Sequence, residues 1–171
     1  VEPAIAVHKI EREILIDAPV EVVWRVLTEP EHLQSWFSDA ASLEPSAGAA
    51  GVIAFQNRSA DGLKEVHVEV QDVEPPHRFS FRWDHPAGTV ADERNSLLVE
   101  FSLAGEGEGT RLRLVESGFE HGERESQLSD HENGWDECLA RLVAYGPRQA
   151  LVGGGGGPSA GEAIAEGSAS P

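Results

Sequence analysis

Basic side chains are scarce in this 171-residue sequence: 13 lysines and arginines stand against 30 aspartates and glutamates, for a formal charge of −17. A surface of that sign repels phosphate backbones and anionic headgroups, which excludes nucleic acid and membrane surfaces as favoured partners. Cysteine is nearly absent, and the lone Cys138 cannot close an internal disulfide. No apolar run approaches the ~20 residues that a spanning helix needs. Nothing ahead of the first strand resembles a signal peptide, so the expected setting is cytoplasmic. Catalytic signatures are missing too. There is no G-x-S-x-G elbow and no glycine-rich phosphate loop after a strand, and His121, His131 and Cys138 with Glu123 and Glu125 lack the C-x-x-C or H-E-x-x-H spacing of a metal site. Hydrolase and kinase readings lose their support, and no metal or cofactor is expected.

What is present is periodicity. Residues Ile5 to Ile16 alternate as a strand whose far end should be the more buried. Asp17, Ala18 and Pro19 then preset a helix start, and Val20, Val23, Trp24 and Leu27 form its apolar stripe while Glu21 and Arg25 face water. Thr28 to Pro30 breaks this helix, and Glu31 to Trp36 makes a second short one. Strands are expected at Val52 to Asn57, Glu65 to Val73, Arg78 to Trp83, Ser96 to Leu103 and Thr110 to Glu116. Turn signals separate them at Asp61-Gly62, Pro75-Pro76, Pro86 to Gly88 and Gly105 to Gly109, which gives an antiparallel meander. Within it Val66, Val68 and Val70, then Phe79, Phe81 and Trp83, then Leu97, Val99, Phe101 and Leu103, then Leu112 and Leu114 share one interior face.

A polar loop, HGERESQLSD, precedes a final helix over Gly134 to Tyr145. Its stripe is Trp135, Cys138, Leu139, Leu142 and Tyr145, with His131 one turn ahead on the same face. The fold class is therefore α+β: a curved antiparallel sheet of six to seven strands wrapped around a long carboxy-terminal helix, with two short helices after the first strand. One domain spans residues 1–152. From Gly153 a run of five glycines leads into a polar segment, and residues 153–171 read as a disordered tail. Richness in Ala, Gly and Arg with very little Lys points to a GC-rich bacterial source.

The segments APVEVVWRVLTEPEHLQSWF, VEPPHRFSFRW, GEGTRLRLVESGF and GWDECLARL resemble those of the SRPBCC superfamily, in the branch similar to the carboxy-terminal domain of the activator of the heat-shock protein 90 ATPase. The resemblance spans about Ile10 to Tyr145. It implies a helix-grip fold like that of the birch pollen allergen and the steroidogenic acute regulatory-related lipid transfer domains, whose members commonly hold a hydrophobic ligand between sheet and helix. It does not imply one activity, since members include binders, carriers, cyclases and co-chaperone modules.

Candidate ligand-contacting residues follow from the interior phases. The large rings are Trp24, Trp36, Phe55, Phe81, Trp83 and Phe101, and Phe119 and Trp135 join them from the other end of the chain. Val68, Leu114 and Leu139 fill between them. Each ring has the alternative of being plain core packing. Glu116 continues the phase of Leu112 and Leu114 and should point inward, unless the strand ends first and the carboxyl bends to solvent. His131 is placed to reach the cavity or Glu116. Three functions remain open: a module that binds a hydrophobic lipid-like, polyketide-like or aromatic molecule; a cyclase- or aromatase-like enzyme using Glu116 or His131; or a co-chaperone that touches a chaperone and stimulates its ATPase. An exposed edge strand would also allow a homodimer.

Overall fold

The computed structural model describes residues 9–56, 63–121 and 124–153. The start of the expected first strand, the Asp61-Gly62 turn and nearly all of the glycine-rich tail lie outside these residues. Along the chain come β1 (Lys9–Ile16), α1 (Val20–Thr28), α2 (Pro30–Trp36), β2 (Ala40–Ser42), β3 (Ala50–Gln56), β4 (Leu63–Glu74), β5 (Arg78–Trp83), β6 (Leu97–Glu106), β7 (Gly109–Ser117), a 3-10 turn over Arg124–Gln127, and α3 (Leu128–Gly153). All strand pairings are antiparallel and the seven strands lie in the order β1-β7-β6-β5-β4-β3-β2. The α+β architecture expected from the sequence is what is seen.

The meander phases hold. Val66, Val68 and Val70, the Phe79/Phe81/Trp83 set, Leu97 to Leu103, and Leu112 with Leu114 are all buried on one face. The other face carries exposed ion pairs such as Arg113 to Glu11 and Arg111 to Glu13, each worth little in stability. Between Val70 and Val73 the register with β5 slips by a bulge, so that Val70 opposes Phe81 while Val73 opposes Phe79. The extra residue returns Val73 to the core side, where it packs against the buried cluster. It also increases the local bend of the strand. Sheet curvature is thus built into the middle of β4.

Several elements differ from expectation for local reasons. In β1 both Ile10 and Ile16 are 1% exposed while Ile14 is only half-buried, so burial does not rise toward the far end. The buried residues of α1 are Val22, Val23, Val26, Leu27 and Thr28, whereas Val20 and Trp24 are half-buried. That helix is wedged between α2, α3 and the sheet, which widens its buried face beyond one stripe. Thr28 belongs to α1, its hydroxyl donating to the Trp24 carbonyl, so the break before α2 is Glu29 alone. β2 is too short to show a period.

The final helix begins well before Gly134 and runs past Tyr145, through Gly146 and Pro147. Its stripe of Trp135, Cys138, Leu139 and Leu142 is buried as expected, while Tyr145 stays half-buried with its hydroxyl 2.7 Å from His32 Nδ1. Gly146 marks the closest approach of α3 to β1: a Cβ there would sit 2.8 Å from Ile16 Cγ2. At Gly134 a Cβ would meet nothing within 4 Å. The two glycines of one helix should therefore answer substitution with opposite signs. Gly134→Ala should raise unfolding stability by about 0.5–1 kcal/mol through helix propensity, and Gly146→Ala should lower it by about 1 kcal/mol or more through overpacking against Ile16. Urea unfolding of the two variants measures both, and equal shifts would contradict the packing described.

Candidate functional site

Glu116 sits near the end of β7, opposite Val99 of β6, and has no solvent exposure. The strand does not end early, so the two-residue period carries this carboxyl inward. Three donors surround it. The Trp83 indole on β5 donates to Oε2 at 2.7 Å, the Trp135 indole on α3 donates to Oε1 at 2.7 Å, and His131 Nδ1 lies 3.0 and 3.1 Å from the two oxygens. An indole N–H is a donor only, so each Trp needs an acceptor when buried. One carboxylate satisfies both and ties the sheet to the helix.

The rings then take fixed orientations. Phe37, which follows α2, stacks on Trp135 at 5.2 Å and 10° and on Trp83 at 5.7 Å and 24°. Phe119 meets His131 edge-on at 5.4 Å from behind. Its place in the core depends on Gly118, whose φ of 109° is in the region that only glycine adopts freely and whose Cβ would lie 3.3 Å from the Ser96 carbonyl. Beside the aromatic group opens a cavity of about 390 Å³. Phe37, Phe55, Val66, Trp83, Trp135 and Cys138 form its apolar wall. Lys64, Asp84, Gln127, Asp130 and His131 form its polar rim, and Gly134 completes it from α3.

Of the residues singled out from the sequence, Phe55, Trp83, His131 and Trp135 line this cavity. Glu116 does not line it but bonds three residues that do, Trp83, His131 and Trp135. Phe81, Phe101, Leu114, Val68, Leu139 and Phe119 are buried in the core. Trp36 is buried as well, donating to the Val26 carbonyl at 3.0 Å in the α1–α2 elbow, and Trp24 is half-buried with its ring edge-on to Phe79. The interior between sheet and helix is thus largely filled, and the open space lies toward one end. Phe37, Lys64, Val66, Asp84, Gln127, Asp130 and Cys138 line the cavity without having been singled out. Of these, Val66 carried the signal of an interior phase, and Phe37 stood next to the already selected Trp36.

The rim is tied down by Arg124. Its guanidinium donates to Asp84 Oδ2 at 2.8 Å, to the Asp84 carbonyl at 3.1 Å and to the Asn95 carbonyl at 2.8 Å. This fixes the start of the β5–β6 loop, where Asp84 holds a φ of 73°. The next residue, His85, is 8% exposed, and its Nδ1 has no partner among the described residues. Burial pushes its imidazole below the ordinary histidine range, with His67 and Arg124 adding to that and Glu69 and Asp84 opposing it. Burial also pushes the Cys138 thiol up, against the pull of Arg141, which makes it a packing residue and a poor nucleophile. Among the described residues no group of three or more His, Cys, Asp or Glu side chains is placed to hold a metal ion, and no helix is long and apolar enough to cross a membrane.

Comparison with known proteins gives a family and a set of folds. Residues 17–146 match the family described as Activator of Hsp90 ATPase homolog 1-like protein. A crystal structure of a Mesorhizobium loti protein is similar at 27% identity and a TM-score of 0.65, covering 80% of this chain and 94% of that one. DynU16, a protein of the dynemicin biosynthetic locus, is similar at 28% identity and a TM-score of 0.66 over 87% of this chain, which spans 49% of DynU16. CalU16 from Micromonospora echinospora is similar at 25% identity and a TM-score of 0.59, covering 84% and 82%. No curated protein sequence matches the chain.

Removing the carboxylate should leave two buried indole N–H groups without acceptors. Glu116→Leu is expected to lower unfolding stability by about 2–5 kcal/mol, and Glu116→Gln, which turns an amide N–H₂ toward one indole, should cost more than a conservative exchange usually does; a change below about 0.5 kcal/mol in both would contradict the geometry. At His85 the sign runs with burial of the neutral ring. Its contribution is present above about pH 6.5 and is lost progressively as pH falls from there through the lower pKa of the folded protein, because the unfolded chain takes up the proton first. His85→Leu should therefore flatten the fall of unfolding free energy between about pH 7 and 5 in acid-titrated urea melts, and an unchanged slope would show that the ring is not buried neutral.

Proposed function

The chain belongs to the Activator of Hsp90 ATPase homolog 1-like family, and from that membership and the cavity we propose that it binds a compact, ring-containing hydrophobic molecule beside Trp83 and Trp135. The observation that supports this most is an aromatic-walled cavity of about 390 Å³. That volume is at the small end of the about 300–1,000 Å³ found for small-molecule sites, which favours a ring system over a long acyl chain. Parallel ring faces at fixed orientation offer stacking and edge contacts without first having to be ordered. Similarity to a protein of the dynemicin biosynthetic locus leans the same way, toward an organic biosynthetic intermediate.

A second reading rests on Glu116 and His131. A buried carboxylate behind an imidazole at the cavity wall is the arrangement that orients a proton acceptor, so the same cavity would serve a cyclase- or aromatase-like step on the bound molecule. Binding comes first in either case.

Naphthalene, neutral and without polar groups, is a suitable probe for a protein of charge −17. Its binding should quench or shift tryptophan emission saturably. Gly134→Leu, which fills the cavity from an unobstructed helix position, and Val66→Trp, which fills it from the sheet, should each weaken binding at least about tenfold with the fold retained by circular dichroism. Absence of saturable binding, or full binding in both variants, would remove the reading.

A further inference from the structure

Hydrogen-bond donors are few on the cavity wall. The indole N–H groups of Trp83 and Trp135 are committed to Glu116. Arg124 does not line the cavity: its Nη1 and Nη2 groups are turned to Asp84 and Asn95, and its Nε is buried with no partner among the described residues. Among the lining residues Lys64 is the one cation, an exposed side chain at the mouth. Acceptors, by contrast, converge. Gln127 lines the cavity, and its Oε1 is buried with no partner among the described residues, while the N–H₂ of the same amide is a donor.

His131 supplies the second acceptor, through Glu116. Both carboxylate oxygens already accept an indole N–H and lie at nearly equal distance from Nδ1, so Nδ1 carries the hydrogen that bridges them, and in the neutral imidazole Nε2 is then the acceptor. Glu116 has no exposure whereas the His131 side chain is 23% exposed, so the open part of the ring is its Nε2 side. Asp130 and Asp84 add carboxylates at the rim.

Resting on the cavity being a ligand site, we infer that its occupant is an aromatic compound bearing a hydroxyl or amino hydrogen-bond donor, received by His131 Nε2 and Gln127 Oε1, and not a carboxylate or phosphate. A buried acceptor left unmet costs free energy, so a ligand without a donor loses affinity. An anionic ligand meets acceptor against acceptor in a protein whose overall charge already opposes it.

Isothermal calorimetry on β-naphthol, its methyl ether and β-naphthoate tests this, because the three share one ring system and differ in donor and charge. β-Naphthol should bind about tenfold more tightly than the ether, and β-naphthoate should bind most weakly. Gln127→Leu and His131→Phe should each shrink the ratio between β-naphthol and its ether, and both variants should unfold cooperatively in urea. If the ether or the naphthoate equals β-naphthol, the inference is overturned while the ligand site stands. If neither these three nor naphthalene binds, the ligand site and the inference fall together.

Discussion

One buried carboxylate organises the molecule. Glu116 is held by two indole N–H groups, one from the sheet and one from the final helix, with an imidazole as third neighbour. Taking a carboxylate out of water costs several kcal/mol, and two short, charge-assisted bonds plus a third offset that only if all partners are in place. The constraint therefore runs outward. Trp83 and Trp135 are turned edge-first toward Glu116, so their faces are free to stack on Phe37 and to bound the cavity. An apolar residue at the same position would fill space but leave the rings without a common direction.

The rest of the fold places that carboxylate and the open space beside it. The bulge in β4 bends the sheet over the core, Gly118 lets the chain turn so that Phe119 backs His131, and Gly146 allows α3 to lie tightly on β1. At the other end of α3 the helix is preceded by the 3-10 turn whose Arg124 grips the β5–β6 loop. The helix is thus packed closely on β1 at Gly146 and held to β7 through His131 and Trp135, and the cavity lies at the His131 end.

Much of this was legible in the residues. The two-residue period of Leu112, Leu114 and Glu116 points the carboxyl inward, and the spacing of His131 and Trp135 puts both on the face that meets it. The four matching segments carry the family and its helix-grip architecture. What escaped has physical reasons. Phe37 lies in the aperiodic chain after α2, so nothing in its neighbours says that it stacks on two tryptophans. The start of α3 is hidden because Ser129 to Asn133 is polar and Gly134 reads as a boundary, whereas tertiary ties through Arg124 and His131 extend the helix across it. The β4 bulge leaves no mark beyond two polar residues between Val70 and Val73. The position of the void depends on ring orientations that only three-dimensional hydrogen bonding decides.

The most direct measurement is a nitrogen–proton correlation spectrum of the four tryptophan indoles, recorded with increasing β-naphthol. The Trp83 and Trp135 indole protons should exchange slowly with solvent through their bonds to Glu116, and these two signals should move on titration while those of Trp24 and Trp36 stay. Fast exchange at Trp83 and Trp135, or movement confined to Trp24 and Trp36, would contradict this arrangement.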